Sequence, residues 1–490
     1  MNPLKRLASQ TIIYGFSSIA GRFLNYLLVP LYTYYFAPNE YGIIAELYAY
    51  MGFFSVFLLL GLETGYFRFR NDNNWNDSLV YSTVLRAVLV FNGLFVITML
   101  LLLQPLAAIM RYVDHTEYLM WMIIILAIDA VGSVAFARLR AENKALRFAS
   151  IKLIEIFINI ALNVFFIGYC RSEYALDPNS YAGYLWSPNI GVGYVLLANL
   201  IASGIKLLLL MYELIGIKAG FNWKLLQQIL RYSLPMVLIG LAGIVNEMLD
   251  RIILKFLLPY DATTNMAQLG IYSACYKLSI VMSLFIQAFR YAGEPFFFAY
   301  SKHNDAKHMY ATVLNYFVIF CVLIFLIVTL YIDIFKYFIG ASYRVGLHII
   351  PILLLANLFL GIYVNLSIWY KLSDHTMLGA VISLLGAIIT LILLLWWVPI
   401  FGYVGAAWAT FVCYFSMTAI SYLLSLHYYP IPYNMLAISG YILAGITIYG
   451  SHTWLITNFQ LPPLIIGTVG IAIFMLLAFF TIHNKNYVTR

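Results

Sequence analysis

Five charged residues lie deep inside otherwise apolar stretches of this chain: Arg22, Arg86, Asp129, Glu247 and Lys277. A charge at the centre of a hydrocarbon layer costs at least ~2.5–3.5 kcal/mol on an insertion scale, so a chain that keeps one there uses it to line a polar cavity or to meet a partner. Polar residues also recur at helical spacing. Tyr14, Ser18, Arg22 and Asn25 share one helical face, as do Lys152, Glu155, Asn159 and Asn163. Gly240, Gly243, Glu247 and Asp250 form a third stripe, and Asn357, Gly361 and Asn365 a fourth. Lipid cannot satisfy such faces, so each must meet protein or water. For Asn163, Asn357 and Asn365 the plainer account is a polar helix–helix contact. For Arg22, Asp129 and Lys277, near mid-depth, cavity lining is the better reading. Glu247–Arg251 and Arg290–Glu294 stand four residues apart and can equally be structural ion pairs.

The elements that carry these residues are helices long enough to cross a membrane. The chain of 490 residues is 63% hydrophobic and 10% charged, with mean hydropathy +0.88, whereas a soluble domain carries about 25% charge. Roughly 20 apolar residues of helix span a bilayer core, and about fourteen such stretches fit between residues 11 and 482. The first, which carries Arg22 and runs on to Phe36, is too long for a signal-peptide core and reads as an uncleaved span. With the N-terminus in the cytoplasm, the cytoplasmic breaks hold 17 Lys and Arg and the opposite breaks hold 6. That asymmetry predicts both termini inside. The net charge of +8 therefore reports topology and gives no reason to expect nucleic acid. Arg138, Arg140, Lys144 and Arg147 fit a basic segment facing anionic membrane lipid.

The basic stretch 216–235, ending in Pro235, is the best internal boundary. It predicts an N-terminal six-helix bundle over 1–215, a cytoplasmic linker helix over 216–234, a second six-helix bundle over 235–428 and two further spans over 429–490. The second bundle restarts the first in sequence: the Gly-Ile-x-x-x-x-Tyr of 42–48 returns at 270–276. The chain is too fully spent on spans to hold a soluble catalytic domain. It has no GxSxG, P-loop or HExxH motif, and Cys170, Cys275, Cys321 and Cys413 have no metal or redox spacing. No enzyme and no cofactor is expected.

The whole chain resembles the Wzx-type polysaccharide flippases (O-antigen or exopolysaccharide) of the multidrug/oligosaccharidyl-lipid/polysaccharide exporter superfamily. The resemblance is carried, in order, by SQTIIYGFSSIAGRFLNYLLVPLYTYYFAPNEYGIIAELY near the start, RLRAENKALRFASIKLIEIFINIALN at 138–163, RYSLPMVLIGLAGIVNEMLDRIIL followed by LGIYSACYKL, and WWVPIFGYVGAAWATFVCY at 396–414. It implies an all-α integral membrane protein, two six-helix bundles in a V plus two C-terminal helices, in the inner membrane. It implies transfer of a polyprenyl-pyrophosphate-linked oligosaccharide from the cytoplasmic to the outer leaflet, with a polysaccharide polymerase and chain-length machinery as partners. A cationic cavity suits that substrate, and Arg22, Asn25, Arg86, Lys277 and Arg290 are the matching substrate-binding candidates. Glu46, Asp129, Glu247 and Asp250 are the acids that can couple transport to H⁺ or Na⁺. A flippase of peptidoglycan lipid precursors and a drug/cation antiporter are the alternatives within the superfamily, though an antiporter for organic cations favours an acidic cavity. An O-antigen polymerase is the alternative among enzymes. It needs a larger outer loop than 170–188, which offers only Arg171, Glu173 and Asp177.

Overall fold

In this computed structural model the described residues are 19–72, 74–215 and 220–488, with side chains through 481. Every regular element among them is a helix. Ten are long and apolar enough to cross a membrane. One of these, Thr376–Tyr428, is broken at Gly402, whose φ of 62° no helix tolerates, and so supplies two spans. The helical residues 19–35, the apolar helix Gly193–Leu209 and the helix Trp223–Leu257 complete the fourteen expected from hydropathy. The chain is a multi-pass membrane protein.

The helices group into two compact units. The first runs to Phe256 and takes in Asp261–Gly270; the second holds Leu257–Tyr260 and the chain from Ile271 onward. This division falls later than the boundary expected over 216–234. The reason lies in the Trp223–Leu257 helix, which runs unbroken through Pro235. Its first turns are not a free surface linker. Leu225, Leu226 and Ile229 are buried in a cluster with Leu62, Tyr66, Val80, Val84 and Val134, inside the first unit.

Close helix contact in the first unit depends on two glycines. A Cβ added to Gly42 would overlap the main-chain carbonyl oxygen of Met266, and one added to Gly270 would overlap that of Pro38. These are the glycines of the repeated Gly-Ile-x-x-x-x-Tyr sequence, so its two copies meet at their first residues. Among lipid tails, apolar burial gives helices no reason to associate, and small residues that let backbones approach take over that role.

The contact predicts that Gly42→Ala or Gly270→Ala lowers stability by about 1–3 kcal/mol, because backbone must move. Gly204→Ala, where a Cβ meets nothing within 4 Å, should be neutral or stabilising. Thermal unfolding of the purified variants in one detergent checks this; equal melting temperatures for all three would show that the close contact is not needed.

Candidate functional site

Lys206 sits in the last turn of the apolar helix Gly193–Leu209 and is only 4% exposed. An ammonium there needs acids, and two other helices of the first unit bring them. The Thr116–Ala141 helix supplies Asp129, whose Oδ1 accepts from Lys206 Nζ at 2.6 Å. The Ala145–Asn163 helix supplies Glu155, whose Oε1 accepts from the same nitrogen at 2.7 Å. Glu155 Oε2 accepts from Lys152 at 2.8 Å, and Ser203, one turn before Lys206, donates to Asp129 Oδ1 at 2.8 Å. The cluster is thus two lysines and two acids, with zero formal charge. Lys206 and Glu155 form its dry end, while the side chains of Asp129 and Lys152 stay 38% and 37% exposed. A carboxylate on an apolar helix that is open on one side and bound to a buried lysine on the other can exchange a proton or a small cation at its open side.

A second cluster in the same unit is closed. Glu46 is fully buried, and Lys255 donates to both of its oxygens, at 3.0 and 2.8 Å, and to the Met110 carbonyl at 2.6 Å. All three N–H groups of Lys255 are thereby used. The Tyr112 hydroxyl donates to Glu46 as well, and Asn265 donates to the Lys255 carbonyl. Burial and the adjoining Glu46 carboxylate push the Tyr112 phenol well above its ordinary pKa, so it stays a donor. A cavity of about 150 Å³ adjoins this cluster, lined by Arg111, Tyr112, Asp114, His115 and Lys255 with apolar neighbours.

A third set gathers near residues 138–147. Glu213, 2% exposed, accepts from Arg147 at 3.1 Å, and its main-chain carbonyl accepts from Arg138 and from the Tyr81 hydroxyl, both at 3.0 Å. Arg140 pairs with Glu63, and Glu142 pairs with Arg138 and Lys144. Burial opposes the Glu142 carboxylate, but Lys144 and Arg138 hold its pKa below the ordinary value. This basic segment therefore does more than face lipid: three of its four cations also tie helices together.

The other residues singled out in sequence fall in different places. In the first unit, Arg22 and Asn25 lie exposed on the helical residues 19–26, and Tyr14 and Ser18 of their stripe lie outside the described residues. Arg86 is exposed on the Asp77–Leu101 helix. Asp250 is buried, and its Oδ1 accepts from Arg251 Nη1 at 3.3 Å. Glu247 is exposed, and the expected Glu247–Arg251 pair is replaced: Arg251 donates at 2.6 Å to the Glu247 main-chain carbonyl. In the second unit, Lys277 is half-buried and Arg290 exposed. The expected Arg290–Glu294 pair is replaced too, because Glu294 binds Lys371 at 2.6 Å. The structure gathers Asp129 with Lys206, Glu155 and Lys152, but brings none of the other candidates of the first unit to that cluster. Lys206 escaped the sequence reading because its partners lie 77 and 51 positions away.

The family described as "Polysaccharide biosynthesis protein" matches residues 7–301, more than half of the chain. The chain belongs to that family. No curated protein matches it in sequence. Among solved structures it is similar to the lipid II flippase MurJ in an inward closed conformation, with TM-score 0.67 and 15% identity over 96% of this chain and 99% of that one. It is also similar to an inward-facing multidrug resistance MATE family transporter of the MOP superfamily, with TM-score 0.61 and 16% identity over 85% and 94%. A third is the MATE multidrug transporter DinF-BH bound to R6G, with TM-score 0.60 and 18% identity over 86% and 95%. This member of the polysaccharide biosynthesis family thus has the fold of the flippases and transporters of that superfamily.

The Lys206 cluster predicts an asymmetric mutational pattern. Lys206→Met leaves two acids against one partly exposed lysine and should cost about 3–5 kcal/mol. Lys152→Met should cost clearly less. Adding Asp129→Asn and Glu155→Gln to Lys206→Met should recover most of the loss. Melting temperatures of the detergent-purified variants check this; no recovery in the triple variant would mean that charge balance is not what holds the three helices.

Proposed function

We propose that this chain is a flippase that moves a polyprenyl-pyrophosphate-linked oligosaccharide from the cytoplasmic to the outer leaflet of the inner membrane. The supporting observation is the conjunction of its polysaccharide biosynthesis family with a fold shared along nearly the whole length of a lipid II flippase. The polar head crosses by alternating access while the lipid tail stays among lipid. Arg22, Arg86, Lys277 and Arg290 are the cations offered to the pyrophosphate and to acidic sugars, with Asn25 beside Arg22.

The drug/cation antiporter reading is disfavoured by the charge state of the first unit. Two of its span acids, Glu46 and Glu155, already hold lysines. An organic cation would have to displace Lys255 or Lys206 to reach them. Asp129 is the acid best placed for coupling, since its exposed side can take up H⁺ or Na⁺ and so loosen its hold on Lys206. Asp250 and Glu247 are a second acidic pair for the same purpose, and Glu46, sealed by Lys255, would act only if that pair opened.

Reconstitution tests the reading. Proteoliposomes carrying the chain should expose a lipid-linked oligosaccharide on the opposite leaflet, faster with an imposed H⁺ or Na⁺ gradient. Asp129→Asn should abolish the gradient's effect and leave a slower, gradient-independent rate. Arg22→Ala and Lys277→Ala should each lower the rate about tenfold or more. Lys144→Ala, which removes only a pair with Glu142, should leave it within about twofold. Equal loss in all three at equal protein levels would speak for general misfolding, and no flipping by the wild type would sink the proposal.

A further inference from the structure

Two asparagines on one stripe of the Ile350–Leu366 helix behave differently. Asn357 is satisfied: its amide nitrogen donates to the Leu353 carbonyl at 2.9 Å and to Ser279 at 3.3 Å, and its oxygen accepts from Ser283 at 3.1 Å. That is the helix-joining role expected of both. Asn365 does not fill it. It is 2% exposed, yet among the described residues neither its amide nitrogen nor its amide oxygen has a hydrogen-bond partner. A buried polar group left so costs about 1–3 kcal/mol per group, and such an exception calls for a reason.

Asn365 lines a small cleft of the second unit with Phe289, Arg290, Glu294, Phe297 and Lys371. The Glu294–Lys371 pair stands at this cleft with side chains 42% and 29% exposed, so the site is not sealed. Its free volume is about 10 Å³, near the least that holds one water-sized group. The group that enters must suit the amide, which offers both donors and acceptors. An anionic oxygen would accept from the nitrogen and leave the oxygen orphaned. A metal cation would take the oxygen, leave the nitrogen orphaned and face Arg290 and Lys371. A hydroxyl both donates and accepts, and one hydroxyl oxygen matches the size.

We propose that Asn365 recognises a hydroxyl of the transported sugar. Only that hydroxyl enters the cleft; the rest of the sugar stays at its mouth, where the partly exposed Glu294 and Lys371 and the exposed Arg290 take neighbouring hydroxyls or a sugar acid. This deepens, and rests on, the reading of the chain as a flippase of lipid-linked glycan. It assigns a specificity residue for the sugar, distinct from the cations that meet the pyrophosphate.

The test uses the full chain and its Asn365→Leu and Asn365→Ala variants. Melting temperatures are measured alone, with free oligosaccharide released by mild acid from the lipid-linked pool of the cells that carry the chain, and with inorganic pyrophosphate. Replacing an orphaned amide by a similar apolar group removes the penalty, so Asn365→Leu should melt no lower than the wild type. Free oligosaccharide should raise the wild-type melting temperature and leave both variants unmoved, while pyrophosphate acts alike on all three. Flipping of the lipid-linked oligosaccharide in proteoliposomes should fall about tenfold in both variants. A lower melting temperature for Asn365→Leu, or an oligosaccharide response kept by the variants, would overturn the proposal and leave water or a structural contact at Asn365. Wild-type flipping with equal flipping by the variants sinks this site alone; absence of wild-type flipping sinks the flippase reading and this site with it.

Discussion

Hydrocarbon cannot solvate an ammonium group, and the first unit of this protein is organised around that fact. Lys206 lies buried on an apolar helix, and Asp129 and Glu155 are delivered to it from two other helices. Three helices are thereby held in one arrangement by charge, beside the close backbone contact at Gly42 and Gly270. The same constraint explains why the cluster is neutral as a whole. A surplus of either sign in that place would cost several kcal/mol per ion. Neutralising Asp129 would remove one of the two acids that hold Lys206.

The two lysine–acid clusters of this unit differ in the way that matters for function. At Lys255 every ammonium hydrogen and both Glu46 oxygens are engaged inside the protein. Such a site is suited to holding structure. At Lys206 the network runs from a dry lysine to an acid with more than a third of its side chain exposed. The Glu46 carboxylate is fully buried, whereas the Asp129 carboxylate has an exposed side. On the proposed function, that contrast is the reason for assigning coupling to Asp129 and a structural role to Glu46.

The architecture was legible in sequence because hydropathy is a property of consecutive residues. Fourteen spans could be counted, and the polar stripes could be read from spacing alone. The pairings could not, since they join residues 51, 77 and 209 positions apart. Local inference also misled where two partners competed. Arg251 reached the Glu247 backbone and Asp250 in place of the Glu247 carboxylate, and Glu294 chose Lys371 over Arg290. The packing partners of the linker stretch were hidden for a related reason. The 216–235 stretch is basic and amphipathic, but whether its apolar side meets lipid or protein depends on Leu62, Tyr66 and Val80, far away in the chain. Asn357 and Asn365 share one stripe and differ only in what the neighbouring helix offers them.

The central claim concerns which face of the membrane a glycan reaches because of this chain. The most direct measurement is made in cells from which the chain has been removed. The lipid-linked oligosaccharide pool is labelled by a membrane-impermeant, sugar-oxidising reagent applied from outside the inner membrane of spheroplasts, before and after permeabilisation. The account predicts that the pool accumulates, that it is labelled only after permeabilisation, and that restoring the wild-type chain makes it accessible again. A pool that is equally accessible from outside with and without the chain would contradict the account.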